Sequence, residues 1–264
     1  MVLKMMTMLR RCGAPAFPSS LPVAASLVLL STTVVPGARS DPLSEARLPP
    51  GYTVTEFSSG HGRARGLRVL PNGDVLLATG VGQYGPDASG VTLLWDDDGD
   101  GAADGTASLV GDGLGLTHGI EYLRPENNPR GENEGWILAS SDTTVYAWPY
   151  ALGERLDEEL GGRFVVVSNM NARSNAEDLG AFRGHWTRTL ALSPGDQRYL
   201  YVSVGSAGNV DNDSYRSRIR RFDLRTMVEG TPFDFREGEV FADGLRNEVG
   251  LAFDAAGGVL GGEN

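Results

Sequence analysis

Short apolar runs joined by tight turns, recurring along most of the chain, restrict it to a repetitive all-β architecture. The first clear unit is Ala64-Arg65-Gly66-Leu67-Arg68-Val69-Leu70, the turn Pro71-Asn72-Gly73-Asp74, then Val75-Leu76-Leu77-Ala78-Thr79. Asn-Gly takes positive φ readily, so a strand, this turn and a strand form a hairpin. The unit returns at 117–123 with 136–140 and 144–148, at 185–192 with 199–205 and 217–222, and at 247–253 with 259–260. Taking Gly66, Gly119, Thr189 and Gly250 as equivalent points, the spacings are 53, 70 and 61 residues. Loose repeats of that size, each made of a few antiparallel strands, are the signature of a β-propeller. A β-sandwich is the alternative. Amphipathic helical periodicity is nearly absent, and Tyr52–Phe57 alternates as an edge strand.

In a propeller the innermost strand of each blade starts at the axial funnel where ligands bind. The side chains in front of the four inner strands are Arg65, His118, His185 with Arg188, and Arg246 with Asn247. The scaffold itself has no need of cations and imidazoles there. Their convergence suits an anionic, carbonyl-bearing ligand. His185 draws the most interest, because an imidazole titrates near neutral pH and readily becomes a general base. Taken alone it reads sooner as a histidine capping a strand; Arg246-Asn247 in the equivalent place on the next repeat turns the reading towards a base.

Residues 1–40 read as a secretory signal peptide and 41–264 as the folded domain. Lys4, Arg10 and Arg11 form a positive front end, and 21–35 is an apolar stretch short for a bilayer. Ala38-Arg39-Ser40 then supplies small residues around a cleavage point before Asp41. An uncleaved anchor is the other reading. Cleavage would leave 19 basic against 34 acidic residues, a net charge of −15. Nothing in that balance suits nucleic acid or an anionic membrane, and no membrane span is expected after cleavage. The single cysteine, Cys12, lies in the leader, so the mature domain must be held by core burial rather than disulfides. The sequon Asn212-Asp213-Ser214 would accept a glycan on a eukaryotic secretory route.

Asp96-Asp97-Asp98-Gly99-Asp100-Gly101 spaces carboxylates at Asp96, Asp98 and Asp100 before a glycine, with Asp104 following. This matches the first half of a calcium loop. Ala107 stands where such a loop needs its bidentate glutamate, and no helix flanks it. A structural calcium site and a solvated acidic turn are the two readings.

The segment Gly184-His185-Trp186-Thr187-Arg188-Thr189-Leu190, followed by 202–211 (VSVGSAGNVD), resembles the quinoprotein glucose/sorbosone dehydrogenase family. The likeness is strongest to its secreted pyranose dehydrogenase branch. Gly244-Leu245-Arg246-Asn247-Glu248-Val249-Gly250-Leu251 with Gly262-Glu263-Asn264 resembles the family's second hallmark, and the likeness runs over most of 48–264. The resemblance implies a six-bladed propeller, about four blades of it present here, that binds pyrroloquinoline quinone and calcium and oxidises sugars. It implies that His185 takes the proton of the anomeric hydroxyl while hydride passes from that carbon to the quinone. Arg246 would stabilise charge on the quinone oxygen and Asn247 would hold the cofactor. Arg65, His118 and Arg188 join them as cofactor-binding candidates, and an external dye, quinone or redox protein would take the electrons. Two positions depart from the pattern: Ser206 stands where an aspartate partners the histidine, and Glu248 where proline is common. The family's calcium-binding segment and further basic residues would follow Asn264, which makes a truncated chain the expectation.

Three functions are weighed: the quinone-dependent sugar dehydrogenase, a non-catalytic carbohydrate- or protein-binding propeller (or inactive fragment), and a calcium-dependent hydrolase or lactonase. The last needs carboxylate and asparagine ligands at the inner-strand starts, where this chain offers mostly arginine and histidine.

Overall fold

The computed structural model describes residues 6–11, 46–80, 89–124, 131, 133–170, 184–212 and 215–263. Most of residues 1–40 and the last two residues of the sequon lie outside them. Near the N-terminus, β1 (Met6–Arg11) pairs antiparallel with β2 (Tyr52–Ser58). The first blade follows as β3 (Ala64–Val69), β4 (Val75–Thr79), β5 (Gly90–Trp95) and β6 (Gly105–Val110), in that order across one antiparallel sheet. The second contains β7 (Leu116–Leu123), β8 (Glu134–Ser141), β9 (Val145–Ala151) and β10 (Phe164–Ser168). The third contains β11 (Leu190–Leu192), β12 (Tyr199–Val204) and β13 (Arg218–Asp223). The two-residue β14 (Phe233–Asp234) crosses back to pair in parallel with β10, and β15 (Glu239–Asp243) completes the third blade. A hairpin of β16 (Glu248–Phe253) and β17 (Val259–Glu263) opens the fourth. Successive four-stranded sheets, rather than two facing ones, make this a β-propeller. Among the described residues no strand of the fourth sheet pairs with the first.

Each middle blade is covered on both faces, which explains why its strands read as continuous apolar runs instead of strict alternation. Along β4, Leu76 and Ala78 enter the core between the first and second blades, while Val75 and Leu77 pack with Phe57 of β2. Along β8, Ile137 and Ala139 face the first blade and Leu138 faces the third. Along β12, Leu200, Val202 and Val204 face the second blade, and Tyr201 meets Leu251 and Phe253 of the fourth.

The repeat positions have a shared mechanical role. A β-carbon on Gly66 would lie 2.0 Å from the His118 carbonyl oxygen, and one on Gly119 would lie 2.3 Å from that of Arg188. Each glycine therefore lets its inner strand abut the backbone of the next blade, an approach no other side chain permits. The third blade solves the same contact differently: Thr189 Oγ1 donates to the Glu248 carbonyl at 2.6 Å. The inner strands are thus stepped around the axis at main-chain distance, which brings the side chains at their starts together.

The third inner strand is shorter than the 185–192 run predicts, beginning at Leu190. Residues before it spend their main-chain groups elsewhere. The His185 amide donates to Ser206 O, and the Arg188 carbonyl accepts from Ser140 Oγ of the second blade. Strand β1, in residues read above as a signal peptide, was not anticipated; nor were β6, β10, β14 and β15, which lie towards the blade edges, where the apolar pattern is weakest.

Candidate functional site

Arg65 and His118 are the second residue of β3 and the third of β7 rather than lying ahead of them, while His185, Arg188, Arg246 and Asn247 precede β11 and β16. The structure joins three of these closely. His185 Nδ1 lies 2.8 Å from Ser206 Oγ, at the end of β12. The Ser206 amide donates at 2.8 Å to the Arg246 carbonyl, tying the His185 loop to the approach of β16. Thr187 Oγ1 donates to Asn247 Oδ1 at 3.1 Å, so the buried Asn247 amide is oriented from the third blade. Arg246 Nε donates to Asn209 Oδ1 at 3.1 Å, and the Arg246 amide donates to Glu263 at 2.6 Å.

Electrostatics favour a neutral His185. Desolvation pushes its pKa below the usual imidazole value, and the Arg246 charge pushes the same way. A hydrogen bond with the Ser206 main chain and the charge of Glu263 oppose them. An imidazole that stays unprotonated below its ordinary range is available as a base across more of the acidic range.

The Arg65 guanidinium lies 5.6 Å from the ring centre of Trp186, next in sequence to His185. Its Nε is buried with no hydrogen-bond partner among the described residues. Burial and the neighbouring Arg63 lower its pKa.

The other two candidates have structural duties. His118 spans the axis: its Nε2 lies 2.7 Å from the carbonyl oxygen of Val249 on β16. Desolvation, with help from Arg65, drops its pKa to about 4, so it is a neutral donor tying the second blade to the fourth. Arg188 is 0% exposed. Its Nε donates to Asp142 O and its Nη1 to the carbonyls of His185 and Thr187, each at 2.9 Å. Burial lowers its pKa to about 10, although nearby Asp142 opposes the drop. It forms the floor beneath His185 and holds that loop by its carbonyls.

Asn209, Glu263 and Trp186 were not singled out from the sequence, although all three fall inside the family-like segments. Only the folded chain shows what they touch.

The acidic loop is the β5–β6 turn, on the outer strands of the first blade. Asp96, Asp98 and Asp104 each present an oxygen within 4.8 Å of the others. Asp100 turns back to accept from the Ala102 amide, and Asp97 pairs with Arg155. Asp104 thus stands where Asp100 was expected. The carboxylates of Asp96 and Asp104 also cap main-chain amides within the turn. No helix among the described residues is long and apolar enough to cross a membrane.

Comparison with known proteins gives concordant results. The pyrroloquinoline quinone-dependent pyranose dehydrogenase of Coprinopsis cinerea is 28% identical over 235 residues, 87% of this chain and 28% of that protein. The pyrroloquinoline quinone-dependent sugar dehydrogenase of Hypocrea jecorina is 32% identical over 165 residues, 60% of this chain and 34% of that one. Among solved structures, the Trichoderma reesei Carbohydrate-Active Enzymes Family AA12 protein superposes with a TM-score of 0.59 at 29% identity. That superposition covers 78% of this chain and 46% of the solved one, so this chain spans under half the length of each relative. The family model described as TrAA12-like matches residues 46–264, taking in every blade and both motif segments; the chain belongs to the TrAA12-like family.

Proposed function

We propose that this chain serves the oxidation of a sugar, an aldose or pyranose, with pyrroloquinoline quinone and calcium as cofactors. The observation that carries the reading is the meeting of His185, Arg246 and Asn247 at adjoining inner-strand starts, linked through Ser206 and Thr187. The residues suit a quinone bearing carboxylates. Arg65 and Arg246 supply positive charge, the buried Arg65 Nε has a donor to offer, and Asn247 supplies an amide. When bound, the quinone provides the hydride acceptor for the anomeric C–H. His185 takes the hydroxyl proton through an imidazole kept neutral by desolvation and by Arg246. Arg246 stands ready to offset negative charge developing beside it. Asn247, fixed by Thr187, orients the cofactor, and Arg188 keeps the histidine loop at constant height from below.

Calcium fits these four positions poorly, because they offer cations, imidazole and amide where the ion needs several oxygens. Its ligands would lie elsewhere, and nothing proposed for His185 depends on them. Secretion as a domain beginning at Asp41, and delivery of electrons to an external acceptor, belong to the same reading.

The test is reconstitution of the apoprotein with pyrroloquinoline quinone and calcium, followed by absorbance of the bound quinone and reduction of a dye with aldoses. Uptake with sugar-dependent reduction supports the reading. Failure of the full-length protein to take up the quinone would overturn it. Sugar binding unaffected by His185→Ala, without quinone uptake, would favour the non-catalytic propeller.

A further inference from the structure

The atoms around Ser206 determine which nitrogen of His185 carries the proton. Ser206 Oγ lies 2.5 Å from the carbonyl oxygen of Gly208 and 2.8 Å from His185 Nδ1. A carbonyl oxygen can only accept, and a hydroxyl has one proton to give. That proton is committed to Gly208, so Ser206 faces Nδ1 with a lone pair. A contact of 2.8 Å between that lone pair and Nδ1 requires the nitrogen to be the donor.

Neither partner has room to turn away. Ser206 is 3% exposed, and its amide and carbonyl are both engaged, with Arg246 O and the His185 amide. The turn that presents Gly208 is pinned as well. The Ala207 amide donates to Asp211 Oδ2 at 2.7 Å, and Arg216 grips the same carboxylate at 2.7 and 2.8 Å.

We propose that Ser206 is a positioning residue that keeps the proton of neutral His185 on Nδ1 and so presents Nε2 as the proton-accepting atom. The role parallels that of the aspartate in a serine protease triad, which also fixes a histidine tautomer, with one difference of consequence. Here the partner is uncharged. A carboxylate would stabilise imidazolium, whereas a hydroxyl relayed to a carbonyl does so weakly. Among the described residues the charged groups acting on the ring are Arg246, on the approach to β16, and Glu263 of β17, while Arg188 is spent on carbonyls of the same loop. The neutral dyad therefore keeps the base deprotonated further into the acid range than a His–Asp pair would. That His185 acts as a base rests on the function proposed above; its tautomer does not.

The experiment is nitrogen-15 NMR of histidine-labelled protein without cofactor, across a pH titration. The chain has three histidines, and His185→Gln assigns the resonance of interest. The expected spectrum at neutral pH shows a protonated Nδ1 and a lone-pair Nε2 for His185. In Ser206→Ala the proton should redistribute in part towards Nε2, the hydrogen bond to the Ser206 main chain being retained. In Ser206→Asp the proton should stay on Nδ1, and half-protonation should move up by at least about one pH unit, a tenfold gain in proton affinity. In the quinone-loaded protein, Ser206→Ala should lower kcat with little change in KM, and Ser206→Asp should shift the acid limb of the rate profile upward. A wild-type His185 protonated on Nε2, or a tautomer unaffected by Ser206→Ala, overturns the proposal. If the spectra are as expected but the protein never takes up quinone, the sugar-oxidising function fails and the Ser206 assignment stands.

Discussion

Replacing His118 with glutamine should tilt the pH profile of stability, because this histidine offsets a second buried group of opposite sign. His118 titrates at about 4 in the folded chain against 6.5 when free. Its depressed pKa contributes stability that is complete above about pH 6.5 and is lost as pH falls towards 4, since the unfolded chain binds the proton more readily. Glu121 behaves in the reverse sense. It is 6% exposed, and desolvation raises its pKa from 4.5 to about 7, against the attraction of Arg68. Arg68 Nε lies 3.0 Å from Glu121 Oε2, yet among the described residues that oxygen accepts no aligned hydrogen bond, so the ion pair compensates the burial incompletely. A raised carboxyl pKa stabilises below about pH 4.5 and loses that advantage as pH rises through 7. Each full shift is worth about 3 kcal/mol. Between about pH 4.5 and 7 the histidine contribution grows and the glutamate contribution shrinks by similar amounts, roughly 2–3 kcal/mol each, leaving a near-level sum. Urea unfolding of wild type, His118→Gln and Glu121→Gln at several pH values separates the two. The stability difference between wild type and His118→Gln should widen in favour of wild type by roughly 2–3 kcal/mol from pH 4.5 to 7. The difference from Glu121→Gln should move by a similar amount the other way. Differences that stay constant with pH would refute the burial of both groups.

Three further outcomes are expected. His185→Ala should reduce dye-linked sugar oxidation by about 10²–10⁴-fold while quinone absorbance on binding is retained; equal activity would remove the histidine from the chemistry. Arg188→Met should cost about 3–5 kcal/mol in urea unfolding, because carbonyls of Asp142, His185 and Thr187 lose a buried charged donor. Lost quinone affinity at unchanged stability would instead make Arg188 a direct ligand. Gly119→Ala should destabilise by about 1–3 kcal/mol or more, since the added carbon meets the Arg188 carbonyl, whereas Gly250→Ala, with nothing within 4 Å, should stay within about 0.5 kcal/mol. Equal effects would mean that the blades do not abut at Gly119.

Local chemistry made the hairpins and the blade order readable in advance. Asn72-Gly73 turns with Gly73 at φ 94°, and runs such as Val75–Ala78 are buried on both faces because the second blade lies on one side and Phe57 of β2 on the other. The edge strands were less legible, since their pattern depends on how far a neighbouring sheet covers them. Among the site residues, side-chain type and position before a strand were enough to nominate Arg65, His118, His185, Arg188, Arg246 and Asn247. Their separate duties depend on contacts between residues distant in sequence. Only folding carries His118 across 131 positions to Val249, sinks Arg188 beneath the His185 loop, and brings Ser206 and its Gly208 acceptor against Nδ1. The sequence by itself determined that this chain makes propeller blades with cations and imidazoles at their inner starts, because strand and turn propensities act over a few residues. Tertiary structure decided which of those groups face the site and in what protonation state, because burial and hydrogen-bond partners exist only once the blades are side by side.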